Sequence, residues 1–153
     1  MRTTSLLFLV AAGAYAAAVS VAASTGPARQ EGSRTTLDGV YSADQAARGK
    51  AFFERTCSRC HTFEPVTPKL EGPLLGGDTF FNNWEGKSVF QLVTSIRLGM
   101  PPDGSVIVEA AQAADVVAFI LETNKLPAGS ADLVADATAR NIKIARPGGP
   151  PVR

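Results

Sequence analysis

Cys57-Ser58-Arg59-Cys60-His61 holds both cysteines and the single histidine of a 153-residue chain. Independent placement would bring the three together in this order roughly once in ten thousand sequences, so the spacing demands a chemical reason. Two thiols three residues apart stand one helical turn apart. A disulfide oxidoreductase uses such a pair, but sets it in a strand–helix unit, and no stretch here alternates at period two. Structural zinc takes four ligands; one turn supplies three, and no second Cys/His pair exists. A plain structural disulfide is a further alternative.

The order C-x-x-C-H is the attachment signature of c-type haem. Cys57 and Cys60 can each add to one of the two vinyl groups, and His61 is then carried over the porphyrin, where its imidazole binds iron. One axial His leaves a sixth position. Met100 is the only methionine after the initiator, in Gly99-Met100-Pro101-Pro102. An isolated Met is usually core filler, but this one lies just past a helix end on a Pro-stiffened loop that can hold a thioether against iron. Thioether sulfur favours Fe(II), so His61/Met100 ligation raises the reduction potential and suits electron transfer. Lys50, Lys69 and Lys87 are worse placed as ligands.

Outward from the motif, Ser42-Ala-Asp-Gln45 reads as a capping box. It opens a helix that carries Ala46, Gly49, Phe52, Phe53 and Thr56 up to Cys57. Ser88-Val-Phe-Gln91 opens a second helix with Val89, Leu92, Val93 and Ile96, which must stop before Pro101. A third runs from about Glu109 to Thr123, with an apolar face of Ala113, Val116, Val117, Ile120 and Leu121. Residues Thr62–Lys87, rich in Pro and Gly, read as a loop without periodicity. A loop that long is reasonable in a small domain if something other than protein fills the interior. Three short helices also make a thin core. Both features call for a large apolar cofactor.

The remaining segments set the domain plan. Residues 1–23 have the form of a secretory signal: Arg2 as the only charge, an apolar run, and a small-residue exit at Val21-Ala22-Ala23. Left uncleaved, the 18 residues Leu6–Ala23 would serve as a membrane anchor. Residues 24–41 read as a linker, 42–126 as the haem domain, and 127–153 as a C-terminal extension that wraps the surface and ends in disorder. Charge is nearly balanced, 15 Lys and Arg against 14 Asp and Glu. No basic cluster supports nucleic-acid binding, and a Ser/His triad would have to spend the one His.

At these residues the sequence resembles class I cytochromes c. The resemblance implies an all-α cytochrome c fold, three to four short helices wrapped around one covalent haem c. It implies that Gly49 permits close crossing by the C-terminal helix, whose aromatic is Phe119, next to Phe53. In Gly72-Pro73 the Pro73 carbonyl would accept the His61 Nδ1–H, fixing its tautomer, and Trp84 would donate to a haem propionate. A narrower likeness covers Asp38-Gly39-Val40-Tyr41, Ala46-Ala47-Arg48-Gly49, Phe80…Trp84, Met100-Pro101-Pro102 and Leu126-Pro127-Ala128-Gly129. These are similar to small monohaem cytochromes found alone or fused to pyrroloquinoline-quinone dehydrogenases. The expectation is a periplasmic, monomeric one-electron carrier and not an enzyme by itself, exchanging electrons with a dehydrogenase and an oxidase or membrane complex. The alternatives are a haem subunit of a periplasmic dehydrogenase or sulfur-oxidising complex, and a ligand-binding haem sensor.

Overall fold

The computed structural model describes residues 34–152; the signal segment and most of the linker lie outside the described residues. Four α-helices carry the fold: α1 (Ala43–Thr56), α2 (Gly77–Trp84), α3 (Val89–Gly99) and α4 (Ala110–Thr123). Two strands of two residues each, β1 (Arg34–Thr35) and β2 (Ile142–Lys143), pair in parallel and join the two ends. The architecture is the all-α cytochrome c fold.

Helices α1 and α4 form the central pair. Where they cross, a Cβ on Gly49 would overlap the Asp115 carbonyl, so glycine is what lets the backbones meet. Beside the crossing, Phe53 and Phe119 meet edge to face with centroids 5.4 Å apart, and Phe63 lies 5.2 Å from each. The Arg48 guanidinium bridges α1 to Asp115 at 3.1 Å and to Asp132 at 2.6 Å. Below α4, Tyr41 is 1% exposed and donates its hydroxyl to the Leu126 carbonyl at 2.6 Å.

Burial, with Glu122 nearby as the smaller cause, pushes the ionisation of Tyr41 up to about 12. Its folded-state value lies above the unfolded value near 10, so the folded state holds this proton more tightly. The stabilisation is complete below pH 10 and is lost as pH rises from about 10 to about 12, by an amount on the order of 2–3 kcal/mol. Urea midpoints across that range should fall for the wild type and stay flatter for Tyr41→Phe; parallel curves would count against the coupling.

Three segments differ from the sequence-based expectation. The Thr62–Lys87 stretch is not a continuous loop: it contains α2, which buries Phe80 and Phe81. Its start is fixed by Asn124 at the end of α4. The Asn124 side-chain oxygen accepts from the Gly77 N–H at 2.9 Å, and its amide donates to the Leu75 carbonyl at 2.8 Å. Eight residues with two aromatics carry too little period to be read, and tertiary bonds supply what the local pattern lacks.

Second, only half of the expected Ser42/Gln45 box forms. Ser42 Oγ accepts from the Gln45 N–H at 3.1 Å, but the Gln45 side chain turns away. Its amide donates to the Leu133 carbonyl at 2.9 Å and its oxygen accepts the Leu133 N–H at 2.6 Å. Buried at 2% exposure, that amide satisfies two interior backbone groups that no solvent reaches, which outweighs a surface cap. Gln45→Ala should therefore cost about 2–3 kcal/mol, more than a lost cap, in a denaturation midpoint.

Third, the extension is not confined to the surface. Leu133, Ala139, Ile142 and Ile144 join the core, with Val40 and Tyr41 from before the expected domain start. The Gly129 N–H donates to the Tyr41 carbonyl at 2.6 Å, and Thr36 Oγ1 accepts the Ala145 N–H at 3.0 Å. The end expected to be disordered keeps a turn, closed from the Gly149 N–H to the Arg146 carbonyl at 3.0 Å.

Candidate functional site

Helix α1 delivers the motif. Its last turn continues into the C-x-x-C-H segment, with the Cys57 N–H donating to the Phe53 carbonyl at 2.8 Å and the His61 N–H to the Cys57 carbonyl at 3.0 Å. The thiols therefore leave the helix on one turn, and the imidazole follows directly. The return of the chain is pinned by the Gly72 N–H on the Cys60 carbonyl at 2.9 Å and the Leu75 N–H on the Thr62 carbonyl at 2.9 Å.

That return places the Pro73 carbonyl 2.9 Å from His61 Nδ1. A proline carbonyl can only accept, so Nδ1 carries the proton and Nε2 is left with its lone pair for a metal. Gly72 makes this possible. A Cβ there would stand 2.5 Å from His61 Cε1, 2.6 Å from Nδ1 and 2.7 Å from the Cys60 carbonyl oxygen. Sequence reasoning assigned Gly72 no role of its own; the spatial demand appears only once the ring is placed.

Cys57, Cys60, His61, Pro73, Trp84 and Met100 all line one cavity of about 300 Å3. Helix α3 supplies Leu92 and Ile96, α4 supplies Val116 and Ile120, and Trp84 arrives at the end of α2. Met100 caps α3 in extended conformation, its N–H on the Ile96 carbonyl at 3.1 Å, so the helix end aims the next loop along the cavity. Among the described residues no lysine stands on the cavity wall. Lys50 faces Glu54 on α1 at 4.0 Å, and Lys87 lies over the Trp84 ring at 5.0 Å.

The donor set and walls fit haem c. Two thiols, one tautomer-fixed imidazole and one thioether meet an apolar enclosure, which is what a flat apolar macrocycle with a central iron requires. The other chemistries fit less well. Burial, with Cys60 adding to it, pushes the Cys57 thiol up, opposite to the lowered thiolate of a dithiol oxidoreductase. Among the described residues no three His, Cys, Asp or Glu side chains converge as a metal cluster, so the zinc geometry is not formed.

Fold and cavity together define a c-type cytochrome domain, a haem c electron-transfer protein. Residues 44–120 match the family model described as cytochrome c oxidase, cbb3-type, subunit III, and the chain belongs to that family. No curated protein and no solved structure shows significant similarity to it.

Proposed function

We propose that this chain is an exported, monohaem cytochrome c with His61 and Met100 as axial ligands, carrying single electrons between protein partners. The observation that carries the reading is the convergence of Cys57, Cys60, His61 and Met100 on one apolar cavity, with His61 Nδ1 engaged by Pro73. Export rests on the signal-like segment 1–23, and an anchored form on the apolar stretch Leu6–Ala23. Haem c, when bound, supplies a one-electron Fe(III)/Fe(II) couple.

The chain's own residues do the rest. Cys57 and Cys60 hold the macrocycle as thioethers. His61 would bind through Nε2, with the Pro73 carbonyl on Nδ1 holding the ring in orientation. Met100, on the cavity wall, would complete the ligand set, and Leu92, Ile96, Val116 and Ile120 would pack against the macrocycle. With both residues bound to the metal, ligation would be rigid and no position would remain for a substrate there.

Partners meet the protein over a weakly charged surface. Ser42–Lys125 carries eight basic and ten acidic residues, net −2. Apolar side chains stand exposed beside the cavity segments, Leu98 at 75% and Ile107 at 82%. A small, transient and largely apolar contact follows, with little electrostatic steering. A periplasmic dehydrogenase as donor and an oxidase or membrane complex as acceptor suit it, including pyrroloquinoline-quinone enzymes.

The test is an optical spectrum, oxidised and reduced, of protein made in a host with haem-attachment machinery, with acid–acetone extraction of the same sample. Haem that resists extraction and a Met–Fe(III) charge-transfer band lost in Met100→Ala are the expected results. Extractable haem would reopen the thiol–disulfide reading. Carbon monoxide binding at neutral pH to the reduced protein would point to a sensor. The family's description as an oxidase subunit favours a second reading, a haem subunit built into an oxidoreductase complex. Co-purification at fixed stoichiometry separates that from a free carrier.

A further inference from the structure

Helix α2 is short and ends with Trp84 at the cavity; Gly86, at φ 78°, turns the chain there, and the C-terminal extension grips the helix along its length. Arg146, with a side chain 29% exposed, lies along one face of the helix. Its guanidinium pairs with Asp78, donates to the Asn82 oxygen at 3.1 Å, and lies 3.5 Å from Glu85 Oε2. It also stacks over the Phe81 ring at 5.0 Å. Asp78, Asn82 and Glu85 are spaced four and three residues apart, so one side chain spans the whole length of the helix.

The backbone just before Arg146 adds a second grip. The Gly86 N–H donates to the Ile144 carbonyl at 2.8 Å, and the Ile144 N–H donates to the Lys87 carbonyl at 2.9 Å. The residues on both sides of Trp84 in the chain are therefore held by one segment, Asn82 and Glu85 by Arg146 and Gly86 and Lys87 by Ile144. Glu85, the immediate neighbour of Trp84, has a buried Oε1 with no partner among the described residues. Arg146 is the only cation paired with that carboxylate there. Without it, a half-buried charge must turn outward to reach water, drawing the end of α2 with it.

We propose that the C-terminal extension is a positioning element for Trp84, with Arg146 as the positioning residue that holds the indole against the cofactor cavity. The proposal rests on the reading of that cavity as a haem site. Trp84 is the only tryptophan in the chain, so its emission reports this one position. Bound haem absorbs where indole emits, and quenching weakens steeply as the two separate.

The experiment compares Trp84 emission in the haem-loaded full chain and in Arg146→Ala, at matched covalent haem and matched far-ultraviolet circular dichroism. Wild-type emission should be strongly quenched. The variant should emit about threefold more, because opening of the helix end becomes several times more populated. Arg146→Lys keeps the charge but not the planar fork and should fall between. A role confined to overall stability would lower the melting temperature and leave native emission unchanged. If Arg146→Ala does not accumulate with haem, Asp78→Ala combined with Glu85→Gln cuts the same grip from the helix side and should also brighten. An unquenched wild type, or wild-type emission in the folded variants, overturns the proposal. Failure of the haem reading itself is distinct, because it appears as wild-type protein without covalent haem.

Discussion

Gly49→Ala is expected to destabilise the haem-loaded protein by at least about 3 kcal/mol, a large share of the stability of a domain this size. The added methyl would meet the Asp115 carbonyl oxygen and carbon, with the Val116 nitrogen at 3.0 Å. Those are backbone atoms of α4, which cannot rotate away as a side chain would. Relief requires the two helices to separate along their crossing. That loosens the Phe53–Phe119 contact at 5.4 Å and the two Arg48–Asp115 hydrogen bonds at 3.1 Å. A denaturant titration followed by far-ultraviolet circular dichroism measures the loss. A midpoint within error of wild type would mean that the crossing is wider in solution than the helices' close approach implies.

Gly72→Ala should strike ligation more than stability. The new methyl would stand 2.5 Å from His61 Cε1 and 2.6 Å from Nδ1, nearly an ångström inside ordinary contact. On the other side it meets the Cys60 carbonyl oxygen at 2.7 Å, so it cannot retreat without moving the motif itself. The imidazole must leave the Pro73 carbonyl. Overpacking of this kind costs about 1.5–3 kcal/mol, which corresponds to a fall of tenfold or more in the correctly ligated fraction. The readout is the low-spin fraction in the optical or electron paramagnetic resonance spectrum, alongside the yield of covalent haem. A fully low-spin variant at wild-type yield would show that the ring has room the close contacts deny it.

The contrast between these two glycines marks where sequence reading ended. Gly49 could be given a role through the resemblance to class I cytochromes c, because it stands at that family's distances from Phe53 and Cys57. Gly72 could not, because its neighbour in space is a side chain eleven positions earlier whose orientation depends on the whole return loop. The haem motif was legible for a similar reason: two thiols and an imidazole within five residues encode their geometry locally. Met100 was singled out by the prolines that follow it and the helix that precedes it, and it lies on the wall of the cavity.

What stayed hidden depends on long-range partners. Gln45 carries a strong local capping signal, yet its side chain serves Leu133, 88 residues on. Phe80 and Phe81 form too short a pattern to declare a helix, and α2 is fastened by Asn124 at its first residue and by Arg146 along its length. Ile142 and Ile144 looked like one modest apolar stretch in a tail. They enter the core on a segment held by the Lys87 carbonyl, which accepts the Ile144 N–H, by the Gly86 N–H on the Ile144 carbonyl, and by Thr36 Oγ1, which accepts the Ala145 N–H.

The pairing of the segments on either side of the helices is cheap in chain entropy. The bonds between Thr36 and Ala145 span 109 residues, but the α1–α4 crossing, tied by Arg48 and Asp115, already spans 67. Loop-closure cost grows only with the logarithm of length, so closing the belt on top of that crossing adds well under about 1 kcal/mol. Strands of only two residues each are therefore enough to fasten the segments before α1 and after α4 to one another.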